Sequence, residues 1–153
     1  MKLTSSAFHE KGIIPSKYTC EGKNVNPPLD FSGVPEGTKS LVLIMDDPDV
    51  PKTLRPSGMF DHWVLFNIPP TIHHIAENSI PPSTAGSNTY GGLEYRGPCP
   101  PDREHRYFFK LYALNKMLDL HSGVSKAQVE EAMRGHILAE AQLMGRYEKG
   151  KGY

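Results

Sequence analysis

The residues in this chain best suited to chemistry stand where apolar runs start or stop. Residues 41–44 form a short run of β-favouring side chains that meets Asp46-Asp47-Pro48-Asp49-Val50-Pro51. Pro48 and Pro51 have no N–H to donate, so the ladder cannot continue and the carboxylates fall at the strand's end. Residues 64–68 form a second run, preceded by His62-Trp63 and closed by Pro69-Pro70 on the same missing-donor argument. If the two runs pair antiparallel, Asp47, Asp49 and His62 share one rim. A third run over residues 105–114 also begins with a histidine, His105, followed by Arg106 and Tyr107. Histidines, carboxylates and a tyrosine grouped in this way suit proton transfer or the binding of a small polar ligand. The plain alternative is that the carboxylates accept N–H bonds in turns and the histidines are structural.

These groups need a frame of strands and stiff loops. Gly and Pro number 14 each and the hydrophobic runs are short, a composition that favours many short strands joined by structured loops. Residues 2–6 suit an opening strand, and residues 12–28 read as loop. Pro35-Glu36-Gly37-Thr38 reads as a turn leading into the central strand, and the small polar residues of 83–92 read as a surface loop. Gly97-Pro98-Cys99-Pro100-Pro101 is rigid enough to hold a pocket wall. Residues 105–114 suit a central strand buried on both faces. In the tail, Ser125 as N-cap with Gln128 three residues on predicts a helix ended by Gly135. Ile137, Ala141 and Met144, with Leu138 beside them, predict a second amphipathic helix within residues 136–147, and residues 148–153 read as frayed.

At 153 residues the chain is read as a single domain, 1–153, able to bury a core without metal or disulfides. Lys plus Arg equals Asp plus Glu at 17 each, with no basic stripe, which argues against nucleic acid. The N-terminus lacks the apolar segment of a signal peptide and no long apolar run follows, so the expectation is a cytoplasmic protein without stable membrane insertion. Cys20 and Cys99 are too few for a secreted scaffold, and a single bridge between them stays open.

Asp47-Pro48-Asp49-Val50-Pro51 with His62-Trp63, and Gly97-Pro98-Cys99-Pro100-Pro101 with His105-Arg106-Tyr107, closely resemble the signatures of the phosphatidylethanolamine-binding protein family in its bacterial and archaeal Raf-kinase-inhibitor-like branch. Asn24-Val25-Asn26-Pro27-Pro28-Leu29 and the segment from Gly135 to Ala141 also look like this branch. The resemblance implies a mainly β fold of antiparallel sheets with two helices near the C-terminus, and a small surface cavity for phosphate or phosphorylated headgroups. Carried onto this sequence, the ligand-binding residues are Asp47, His62, Gly97, Pro98, His105 and Tyr107, supported by Pro48, Asp49, Trp63 and Arg106. Asp49 and Arg106 are assigned to bracing the loops as a carboxylate–guanidinium pair. Asp102-Arg103-Glu104 stands where the branch often carries a glycine, so the loop is expected to differ locally. Kinase regulation is not carried over.

The function implied is non-enzymatic binding of a small anionic ligand, with no cofactor, acting through an unidentified protein partner. By analogy with the bacterial branch a homodimer is open, though no residue establishes it. The competing reading is a hydrolase or transferase with His62 or His105 as general acid or base and Asp47 orienting it. Its weakness is the nucleophile: nothing around Cys99 lowers a thiol pKa, and a buried small residue is the expected role there. A metal site ranks third, since no H-x-H or H-E-x-x-H spacing occurs.

Overall fold

Along the first apolar run Leu41, Leu43 and Met45 alternate with Val42 and Ile44, so both sides are apolar and each needs a covering layer. A computed structural model describes all 153 residues and supplies both layers. The strands are β1 (Lys2–Thr4), β2 (Leu29–Ser32), β3 (Ser40–Asp47), β4 (Phe60–Ile68), β5 (His74–Ile75), β6 (Thr84–Ala85), β7 (His105–Leu114) and β8 (Ile137–Tyr147), with one helix, α1 (Lys126–Met133), between the last two. They form a five-stranded sheet in the order β6-β4-β3-β7-β8 and a three-stranded sheet in the order β1-β2-β5. Every pairing is antiparallel.

The larger core lies between the sheets, where Leu3, Leu29, Phe31 and Ile75 meet Leu41, Leu43, Met45, Trp63, Leu65, Phe109 and Leu111. On the other side Val42, Ile44, Val64 and Phe66 pack beneath Leu118 and the α1 residues Val129 and Met133. All of β3 is buried as a result. The expectation that residues 105–114 would be buried on both faces is corrected. His105, Tyr107, Phe109 and Leu111 are buried, while Arg106 is exposed and Phe108, Lys110 and Tyr112 are half-buried. The single helix packs over β4 and reaches β7 only towards its end, where Leu114 and Tyr112 join the cluster of Val129 and Met133.

Helix α1 begins as read: the Gln128 N–H donates to Ser125 Oγ at 3.1 Å and the Ser125 N–H to Gln128 Oε1 at 2.9 Å. After Gly135, at φ +82°, no second helix follows. Residues 137–147 are strand β8, paired with β7 from Leu114↔Ile137 to His105↔Tyr147. The helical stripe was misleading, since Ile137 is exposed and Ala141 and Met144 only half-buried, whereas Leu143, Gly145 and Tyr147 point inward at a period of two. The C-terminus also departs from the frayed expectation. Tyr153 packs edge-on against Tyr147 with ring centroids 5.8 Å apart, and the Gly150 N–H reaches the Glu21 carboxylate at 3.1 Å. No helix is long and apolar enough to cross a membrane.

Candidate functional site

The rim is built by a register shift. Asp46 pairs with Asp61 and Met45 with Trp63, so β4 holds one more residue than β3 across that step, and His62 is the extra one. Such a bulge re-aims side chains. Trp63 stays in the main core, edge-on to Tyr95 at 5.4 Å, and Asp61 points to the opposite face, 2.9 Å from Lys126 Nζ. His62 turns towards the face that carries Asp47. From β7, His105 and Tyr107 stand two residues apart and so share that face.

The wall opposite is the proline-stiffened loop. A Cβ at Gly97 would lie 2.1 Å from the Tyr18 carbonyl oxygen and 2.4 Å from Asn24 Oδ1, so only glycine fits there. Its N–H donates to that Asn24 oxygen at 2.8 Å, and the Tyr95 hydroxyl donates to the Tyr18 carbonyl, also at 2.8 Å. The Cys20 N–H donates to the Pro98 carbonyl at 3.1 Å, and a disulfide joins Cys20 to Cys99. Both cysteines are exposed, which corrects the buried role expected for Cys99.

His105 is enclosed between two carboxylates. Its Nδ1 lies 2.6 Å from Asp47 Oδ2 and its Nε2 lies 2.7 Å from Asp102 Oδ1, so both ring nitrogens are engaged by carboxylates and neither is left for a ligand. Asp102 belongs to the segment that stands in place of the expected glycine, and it closes the far side of the imidazole. Burial pushes the Asp47 carboxyl up, against the lowering effect of its bonds to His105 and the Asp49 N–H. The His105 hydrogen bond holds Asp102 below the ordinary carboxylate range. Asp49 takes Arg106 in a fork, Nε at 2.9 Å and Nη2 at 2.8 Å, with the Arg106 N–H also at 2.9 Å, and the guanidinium lowers its carboxyl pKa. Arg103 lies outside the cavity and donates to the Asp49 carbonyl at 3.2 Å.

His62 differs in kind. Its Nδ1 contacts the Arg96 carbonyl at 2.5 Å, it is only 5 % exposed, and burial lowers its pKa from 6.5 to about 4. The imidazole is therefore neutral at pH 7, with its hydrogen on Nδ1. Its Nε2 is buried and has no partner in the protein, and the buried Tyr107 hydroxyl makes no hydrogen bond of good geometry, although the Asp47 carboxylate lies close enough to act on it. Burial, followed by the nearby Asp47 charge, pushes the Tyr107 phenol far above its usual range, so it remains a hydroxyl and a donor.

These groups line one cavity of about 500 Å³. The structure brings Asp47, His62, Gly97, His105 and Tyr107 to its surface. Pro98 lies behind it, holding Cys20, while Pro48, Asp49 and Arg106 support the rim and Trp63 supports the core. Sequence reasoning missed Arg55, Phe60, Tyr90 and Arg96, which also line the cavity. The Arg55 guanidinium sits 5.1 Å from the Phe60 ring centre and that of Arg96 4.7 Å from Tyr90, an aromatic–cation arch at the mouth. No local pattern marks these loop residues as a group. Nowhere are three His, Cys, Asp or Glu side chains arranged to hold a metal ion.

Comparison with known proteins agrees with this architecture. The chain is 52 % identical to a UPF0098 protein of Methanothermobacter thermautotrophicus, over 98 % of this chain and all of that one. It is 50 % identical to a UPF0098 protein of Chlamydia trachomatis, over 97 % and 99 % of the two chains. Among solved structures, a Chlamydia trachomatis protein described as a putative phosphatidylethanolamine-binding protein homologue superposes with a TM-score of 0.94 at 49 % identity, covering 97 % of each chain. Escherichia coli YbcL superposes with a TM-score of 0.87 at 31 % identity, over 96 % and 97 % of the two chains. The family model described as phosphatidylethanolamine-binding protein matches residues 4–148. With that match spanning nearly the whole fold, the chain belongs to the phosphatidylethanolamine-binding protein family.

Proposed function

We propose that this protein binds a small anionic ligand, phosphate or a phosphorylated headgroup, in the cavity and does so without turnover. The observation that carries the reading is the pair of buried, unpartnered polar atoms, His62 Nε2 and Tyr107 Oη, beneath a mouth that carries Arg55 and Arg96. Buried polar groups are rarely left unpaired, and a ligand that pairs them recovers the lost hydrogen bonds. Binding is favoured over catalysis because His62, the imidazole with an uncommitted nitrogen, has a carbonyl and not a carboxylate on its Nδ1, and the protein holds no free thiol to serve as nucleophile. Both His105 nitrogens face carboxylates, and Cys99 sulfur is in a disulfide. The proposal includes a protein partner that reads the bound state and a homodimer by analogy with the bacterial branch, while the Cys20–Cys99 bridge favours an oxidising setting over the cytoplasmic one expected from sequence. Trapping the Cys20 and Cys99 thiols in cells tests that setting.

Calorimetric titration with inorganic phosphate and phosphoethanolamine tests the ligand. Tyr107→Phe removes one hydroxyl donor and little volume, and is expected to weaken binding roughly 10- to 100-fold, as for one lost hydrogen bond to a charged group. Absence of any heat or thermal shift with the parent protein would refute the reading.

A further inference from the structure

The cavity floor sets a condition on what enters, and the condition concerns hydrogen atoms as much as charge. His62 Nδ1 stands 2.5 Å from the Arg96 carbonyl oxygen. A carbonyl only accepts, so the ring hydrogen is on Nδ1 and Nε2 presents a lone pair. That lone pair is buried and unpartnered, and burial opposes a second proton there. The Tyr107 ring meets His62 edge-on with centroids 5.3 Å apart, and its hydroxyl is also unpartnered.

The other titratable groups around the imidazole are Asp46 and Asp47 from β3, His105 from β7, and Arg55, Tyr90 and Arg96 from the loops. Asp46 is engaged on the opposite face by Lys110 at 3.0 Å and Lys126 at 3.1 Å. Asp47 accepts from the Asp49 N–H at 2.7 Å, faces His105, whose nitrogens are both taken, and lies beside the Tyr107 hydroxyl without a hydrogen bond of good geometry to it. The Arg55 and Arg96 side chains lie against the Phe60 and Tyr90 rings at the mouth. None of these gives Nε2 a hydrogen.

Building on the anion-binding reading above, we propose that the cavity selects oxyanions carrying a hydroxyl of their own, hydrogen phosphate and phosphomonoester monoanions, over fully ionised tetrahedral anions such as sulfate. One ligand oxygen lies between the two floor groups, its O–H donating to His62 Nε2 while its lone pair accepts from the Tyr107 hydroxyl. The remaining oxygens face the arginines at the mouth. Sulfate near neutral pH has no hydrogen, so its oxygen would meet the Nε2 lone pair. It enters only when His62 takes a second proton from solvent. A phosphomonoester, with a second pKa of about 6, loses its P–OH above that value, whereas inorganic phosphate keeps one through the neutral range.

The test is calorimetric titration at matched ionic strength of the parent and His62→Gln with inorganic phosphate, sulfate and methyl phosphate, at about pH 5.5 and about pH 7.5, either side of the monoester pKa. The parent is expected to prefer phosphate over sulfate by roughly tenfold or more at the higher pH, and to lose roughly tenfold in methyl phosphate affinity between the two. The carboxamide introduced by His62→Gln can turn an N–H to the ligand, so in that variant the phosphate-to-sulfate ratio falls towards one. Equal binding of phosphate and sulfate by the parent, or an unchanged ratio in His62→Gln, overturns this inference and leaves anion binding standing. Ethylammonium bound in place of both anions, or no binding of either anion at either pH, overturns the anion-binding reading as well.

Discussion

His62 shows how one residue can link the site to the stability of the fold. Desolvation is the main cause of its lowered pKa, opposed by the Arg96 carbonyl and the Asp46 charge and reinforced by His105. Between about 4 and 6.5 the unfolded chain binds a proton that the folded chain resists. Stability is therefore complete above the upper value and falls as pH drops through the window, by about 3 kcal/mol if the whole shift is realised. His62→Gln removes this titration. Denaturant unfolding should show the parent losing more stability than the variant on acidification from about pH 6.5 to about pH 4. The raised Asp47 carboxyl is present in both proteins, so the difference between their acid limbs isolates the imidazole. Superimposable limbs would mean that His62 is not held neutral by burial.

At the scale of elements, β8 is where local sequence and tertiary context pull apart. Gly145 faces inward, and a Cβ there would stand 2.5 Å from Ile14 Cγ1 and 2.8 Å from Phe8 Cε2, both in buried side chains. Gly145→Ala should therefore destabilise by roughly 1–3 kcal/mol through overpacking. In a helix the same substitution would stabilise by up to about 1 kcal/mol, so the sign of the measured change separates the two structures. The helical expectation arose because residues 136–147 are rich in Ala, Glu, Gln, Leu and Met, good helix formers with a stripe at helical spacing. What decides the segment is the open edge of β7, which lies some thirty residues back in the chain and leaves no local mark. The strand ends at the site were legible for the opposite reason. Pro48, Pro51, Pro69 and Pro70 stop ladders wherever they fall, so Asp47 and His62 could be placed from sequence. The bulge at His62 and the Arg55–Tyr90–Arg96 arch depend on chain path, which proline and glycine positions do not specify.

Over the whole molecule the cavity is a joint between distant stretches of chain, and the disulfide is its covalent part. Cys20 and Cys99 lie 79 residues apart in sequence, so bridging them removes a large loop-closure entropy from the unfolded chain, about 4.5 kcal/mol in the chain-entropy model. The folded wall has other ties: Gly97 to Asn24, Tyr95 to Tyr18 and Cys20 to Pro98 through backbone and side-chain hydrogen bonds. Removing the bridge should thus lower stability without dismantling the site. Replacing both cysteines, Cys20→Ser with Cys99→Ser, is expected to reduce the unfolding free energy by roughly 2–4 kcal/mol and Tm by roughly 5–15 °C. Phosphate affinity should change by less than roughly tenfold, because the floor groups His62 and Tyr107 are carried by β4 and β7 and not by the bridged wall. Differential scanning calorimetry of the double variant beside the parent, with and without phosphate, reads both quantities. A Tm unchanged by the substitutions would show that the bridge adds nothing to stability, and an affinity lost along with it would make the wall, not the floor, the principal anion-binding element.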